Sequence, residues 1–226
     1  MVPPGKTGAV RRSLPSSLKS MATQEIRRRV FAGEMLPGTK VDQDSIAEDL
    51  GISKLPLREA LITLEYEGLI ENVPRRGAFV ARITRNDIHD QYRVFGLVSG
   101  LAAERAATNI SERELGILND LADRMESGAD REEQEQLNSE FHRRINHASE
   151  SRRLLSMLGT LVKTLPQGFY EAHDEWPDKA HQDHRQIVKA LTARSGSKAR
   201  AAIEKHFADG ADRAVALLEQ QGFWDH

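Results

Sequence analysis

One fifteen-residue stretch, LIENVPRRGAFVARI (Leu69–Ile83), breaks an otherwise helical pattern. Two short β-like runs, LIENV and AFVARI, flank PRRG, which predicts a small hairpin. Upstream, Met21, Ile26, Val30 and Phe31 keep helical spacing between Leu18 and Gly33. After the turn LPGTKV (Leu36–Val41), Ile46, Ala47 and Leu50 mark a short helix from Asp44 to Leu50. A third helix carries Leu57, Leu61 and Leu64 and ends near Gly68. Ser53 is placed to cap it, with Pro56 in its first turn. Beyond Arg85 the expected helices are 87–107, 112–127, 131–149, 152–164, 178–193 and 198–221. SERE (Ser111–Glu114) reads as a capping box, and ARSGSKA (Ala193–Ala199) as a break.

Helix, glycine corner, helix, hairpin is the order of a winged helix-turn-helix. The fold class expected is therefore mainly α: an N-terminal winged helix-turn-helix domain over 18–84 and a C-terminal all-α helical bundle over 85–226. Residues 1–17, MVPPGKTGAVRRSLPSS, lack an apolar core segment and read as a flexible arm.

An α-helix fits the DNA major groove and brings its first turn closest to the bases. Ser53, Lys54 and Arg58 lie at that turn of the third helix. The hairpin tip offers Arg75, Arg76 and Gly77, suited to phosphates or a narrow minor groove. A helical hairpin with a solvated basic face is the competing reading. Charge leans toward DNA: residues 1–85 hold 14 Lys and Arg against 10 Asp and Glu, while the whole chain has net charge −2. The chain has no cysteine, which excludes disulfides and thiolate zinc sites. No apolar run approaches a membrane span. A cytoplasmic protein with no membrane partner is expected.

Ile26–Val80 resembles the winged-helix domain of the GntR family of bacterial transcription regulators. The likeness rests on the G-x-x-x-PG turn, IAEDLGIS, PLREAL, LEYEGLI and RRGAFV. It implies a homodimer on a palindromic operator and carries DNA contact to Ser53, Lys54, Arg58, Arg76 and Gly77. Some members have a basic residue where this chain has Asp44.

The rear half holds three histidines on apolar helix faces. His142 shares a stripe with Asn138, Ile145 and Ala148. His184 shares one with Ile187, Val188 and Leu191, and His206 one with Ala199, Ala202, Ile203, Gly210 and Leu217. Three imidazoles converging in a helical core suit a transition metal. Each alone also suits a core histidine bonded to a carbonyl.

NSEFHRRI, HRQIVKAL and ARAAIEKHF resemble the metal-ligand segments of the FCD domain found in FadR-like members of the same family. The resemblance implies a ligand-responsive regulator, a repressor, that holds a divalent ion, zinc or nickel, on Asn138, His142, His184 and His206. A small, often carboxylated effector would bind beside it. Asn138 stands where the family usually has Asp. Where the first helix of the domain often carries Arg and then Glu, this chain has Phe95 and Ser99, with Arg93 offset by two. That implies a pocket for something larger or more apolar than a small organic acid. His181, one turn before His184, is expected to touch it. Competing readings are a metal-dependent hydrolase, a metal sensor and a metal-free acyl-ligand regulator. No carboxylate stands as an evident general base for hydrolysis.

Overall fold

The computed structural model describes residues 17–127, 130–165 and 176–225. The expected N-terminal arm lies outside them, apart from Ser17.

Helix α1 (Leu18–Phe31) opens on Ser17, whose hydroxyl accepts from the Ser20 amide. It buries Ala22, Ile26 and Val30 against α3. Arg27 is buried too, and donates to Glu67 at 2.6 Å, tying α1 to the end of α3. Helix α2 (Gln43–Leu50) is capped by Asp42, which accepts from the Asp44 and Ser45 amides. It stops at Gly51, whose left-handed backbone (φ 62°) turns the chain into α3 (Lys54–Tyr66). Ser53 stands at the N-cap of α3, but its side chain makes no capping bond.

The hairpin is β1 (Ile70–Val73) and β2 (Gly77–Val80), antiparallel, with Ile70 opposite Val80 and Val73 opposite Gly77. Its turn closes with the Arg76 amide donating to the Val73 carbonyl. Pro74 and Arg75 occupy the corner, and Arg75 takes φ 65°. That is the corner position where a type II turn favours glycine. The strands are shorter than the sequence suggests, and β2 pairs on both sides. Its outer edge meets Thr39–Val41: Val80 donates to Thr39 and Val41 to Ala78. The segment expected as a plain turn thus also carries a β-bridge between Lys40 and Phe79.

The bundle begins with α4 (Arg85–Asn109), where Thr84 and Asp87 form a capping box. This start lies two residues earlier than expected. Helices α5 (Glu112–Glu126), α6 (Arg131–Ala148) and α7 (Arg152–Leu161) follow, capped by Ser111, Asp130 and Ser151. A 3-10 turn (Val162–Thr164) extends α7. Helices α8 (Trp176–Thr192) and α9 (Gly196–Gln220) complete the bundle. Helices α4 and α9 pack along their lengths. Gly96 makes this possible, because a Cβ there would stand 3.1 Å from Cβ of Phe207. Phe95 and Phe207 meet edge to face, centroids 4.7 Å apart. Among the described residues no helix is long and apolar enough to cross a membrane.

Candidate metal centre and nucleic-acid interface

The front of α3 presents Ser53, Lys54 and Arg58 to solvent. Lys54 is engaged: its Nζ lies 2.6 Å from Oδ1 of Asp44 on α2. Arg75, Arg76 and Gly77 are exposed at the hairpin tip, with the Arg76 guanidinium over the Phe79 ring at 5.4 Å. Gly77 takes φ 101°, and a Cβ on it would lie 3.4 Å from Cε of Lys40. Lys40 is thus a further cation at the wing. Its place depends on the β-bridge to Phe79, which no local pattern foretells.

In the bundle, α6, α8 and α9 bring His142, His184 and His206 together. One ring nitrogen from each lies within 4.8 Å of the other two. Nε2 of His142 and Nε2 of His206 are 3.2 Å apart. All three rings are buried, His184 completely. Burial first, and the neighbouring imidazoles second, push His142 and His184 well below the usual histidine range. Both are neutral at pH 7, the form that offers a lone pair to a metal.

Both ring nitrogens of His184 and Oδ1 of Asn138 are buried without a hydrogen-bond partner among the described residues. Such atoms are costly when unsatisfied, and a neutral imidazole carries one lone pair, on the nitrogen without hydrogen, that something must accept. A cation does so, and three nitrogens with a neighbouring amide oxygen are a donor set for zinc or nickel. The residues fit the ion that the sequence implies. Outside this group, Asp183 approaches Nδ1 of His206 at 3.6 Å and is gripped by Lys179 at 2.8 Å. A carboxylate behind a histidine favours the tautomer that presents Nε2 to a metal.

Beside the histidines opens a cavity of about 820 Å³. His142, His206 and Asn138 form one part of its wall. Phe95, Phe207, Leu155, Leu158 and Val162 supply apolar surface, and Arg213 and Arg152 add charge. Of the expected effector contacts only Phe95 lines it. Arg93 is a correction: two residues before Phe95, it is turned about 200° around α4 and faces solvent. Ser99 is buried but stands off the wall. His181 is a second correction, since it lines a separate surface recess with Glu126 and Arg185. Arg213 and the α7 residues were missed. Their helical spacing was legible, but which helices would enclose a space was not.

Two family models match this arrangement. The one described as bacterial regulatory proteins, gntR family, covers residues 18–80, and the FCD domain covers residues 90–209. The chain is a GntR-family regulator with an FCD domain. It is a DNA-binding transcriptional regulator and not an enzyme. Among curated relatives, this GntR regulator is 25% identical over 203 residues to the uncharacterized HTH-type transcriptional regulator YdhC of Bacillus subtilis, spanning 87% of this chain and 90% of that one. The HTH-type transcriptional repressor RspR of Escherichia coli is 22% identical over 204 residues, 88% of this chain and 90% of that one. Two solved structures share the fold. E. coli McbR/YncC superposes with a TM-score of 0.65 at 21% identity, covering 91% of this chain and 99% of that one. A putative GntR regulator from Rhodococcus gives 0.60 at 20%, covering 89% and 99%.

Proposed function

We propose that this regulator is a homodimeric repressor that binds a palindromic operator and is controlled by a small molecule held beside a divalent ion in the bundle. The observation that carries the reading is the convergence of His142, His184 and His206, with unsatisfied His184 nitrogens, beside a large cavity whose wall includes His142 and His206. These histidines would hold zinc or nickel, with Asn138 as a neighbouring oxygen donor. The bound ion supplies a cationic anchor for an acidic group. The chain itself then does the rest. Phe95, Phe207 and the α7 residues Leu155, Leu158 and Val162 hold an apolar body and exclude water from it, while Arg213 meets a second polar end. A cavity of about 820 Å³ favours an effector larger than a two- to four-carbon acid.

Repression is carried over from the relative RspR, a transcriptional repressor. The two-fold pair of heads is supported by Val94, Leu97 and Leu101, an exposed apolar stripe on one face of α4. Ser53, Lys54, Arg58, Arg75, Arg76 and Gly77 would meet the DNA, in the cytoplasm with the chromosome. An effector that alters head spacing needs only about 1–3 kcal/mol of coupling.

The test joins elemental analysis to DNA binding. The protein should retain about one divalent ion per chain, bind a selected palindrome as a dimer, and lose the ion in the His142→Ala, His184→Ala, His206→Ala triple mutant. Equal metal in both proteins would remove the ion from the reading. A monomer on the palindrome would remove the dimer.

A further inference from the structure

Helix α3 buries Leu57, Ala60, Leu61 and Leu64, so its core face is fixed. Leu55 lies two residues before Leu57, about 160° around the helix, and points directly away from the core. It is 68% exposed. A leucine in the first turn of a recognition helix stands where contact with base edges is closest. The exposed side chains around it are polar. Lys54 is drawn toward Asp44 at 2.6 Å, and Arg58 stands exposed one turn on.

Leucine can neither donate nor accept a hydrogen bond, so it reads DNA only through apolar contact. The major groove displays one apolar group among the four bases, the 5-methyl of thymine. We propose that Leu55 is a specificity-determining residue that packs on a thymine methyl in the operator. Arg58 beside it suits an adjacent guanine, through O6 and N7. Ile62 and Tyr66 continue the outward strip, but Ile62 lies about 10 Å further along the axis, away from the turn that enters the groove.

The experiment uses the full chain. An operator is selected from random duplex DNA, then resynthesised with each thymine replaced singly by deoxyuridine, which removes only the methyl. Affinities are read by fluorescence anisotropy for the wild type, Leu55→Ala and Ile62→Ala. Leu55 is exposed, and an unchanged thermal midpoint will show that its variant folds. At one thymine per half-site, deoxyuridine should weaken the wild type about fourfold, as expected for uncovering one methyl-sized group. Leu55→Ala should bind the thymine and deoxyuridine duplexes equally, and Ile62→Ala should keep the difference. A wild type indifferent to deoxyuridine at every position overturns the proposal. So does a methyl preference that survives in Leu55→Ala. Wild-type affinity in Leu55→Ala would instead assign the exposed strip to a protein partner, and overturns it equally.

Discussion

The indole Nε1 of Trp224 donates to the carbonyl of Ile83 at 2.8 Å, joining the end of the chain to the link between hairpin and bundle. Arg85 lies over the Trp224 ring at 4.5 Å and bonds Glu219 at 2.6 Å. Phe223 is buried and stacks against Phe31 of α1, centroids 6.5 Å apart. Helix α9 therefore lines the cavity with His206 and ends on the DNA-binding head.

Loosening that clasp should uncouple the two ends. Phe223→Ala is expected to cost about 3 kcal/mol, the usual effect of emptying a buried phenylalanine site. Trp224→Phe removes one partly buried hydrogen bond and should cost about 1 kcal/mol. Urea titration measures both. The second variant should also show a smaller change in operator affinity on metal removal, while its metal content stays at the wild-type level. An undiminished response would show that the clasp is only structural.

Metal removal should destabilise the protein. At a hundredfold excess over Kd, an ion held only by the folded state adds about 2.7 kcal/mol. For a chain of this size that corresponds to roughly 5–10 °C in melting temperature. A chelator should abolish the increment in the wild type and do nothing to His184→Ala. Asn138→Asp should hold the ion more tightly, since the carboxylate adds charge that the amide lacks. The same change should weaken an acidic ligand by cancelling part of the ion's charge. Calorimetry on both proteins separates the two effects, and equal metal affinity would place Asn138 outside the ligand set.

Asp44 restrains Lys54. Asp44→Asn should free that ammonium for phosphate or guanine and remove a negative charge from the DNA face. Operator affinity should rise, and the slope of log K against log salt should steepen by about one. An unchanged slope would mean that Lys54 makes its DNA contact with Asp44 still attached.

Glu25 makes a small, acid-sensitive contribution to the stability of the head. Hydrogen bonds from Arg28, then from Arg29, outweigh its burial and hold its carboxyl at about 2. The folded value lies below the unfolded one, so its contribution is complete above pH 4.5 or so and is lost as pH falls toward 2. The pairs are partly exposed, so the contribution is about 1 kcal/mol or less. Glu25→Gln should lower the melting temperature at pH 7 by a few degrees, and the gap should close as pH falls from 4.5 to 2. A gap independent of pH would assign the loss to packing.

Much of this molecule was legible because its signals are local. Gly51 announces the corner between α2 and α3, and PRRG announces the hairpin. Helical spacing alone put His142, His184 and His206 on inward faces. What was hidden depends on partners distant in sequence. Lys40 reaches the wing only through a bridge to Phe79. Arg93 was misassigned because a helix face acquires meaning from what packs on it, and α9 takes the side of α4 that holds Phe95. Trp224 carries no pattern at all, since its partner, Ile83, lies 141 residues away.

The seam at Gly96 has a mechanical consequence. At Gly96 the seam has no room for one more methyl group, so α4 and α9 would be expected to tilt together as a single beam. From His206 to Gln220 that beam is about 21 Å long. A tilt of about three degrees at the histidines would swing the far end by about 1 Å, and the far end is fastened to the head through Phe223 and Trp224. On the proposed function, a ligand in the cavity would need no large rearrangement to be felt at the operator, only a small angle on a stiff lever.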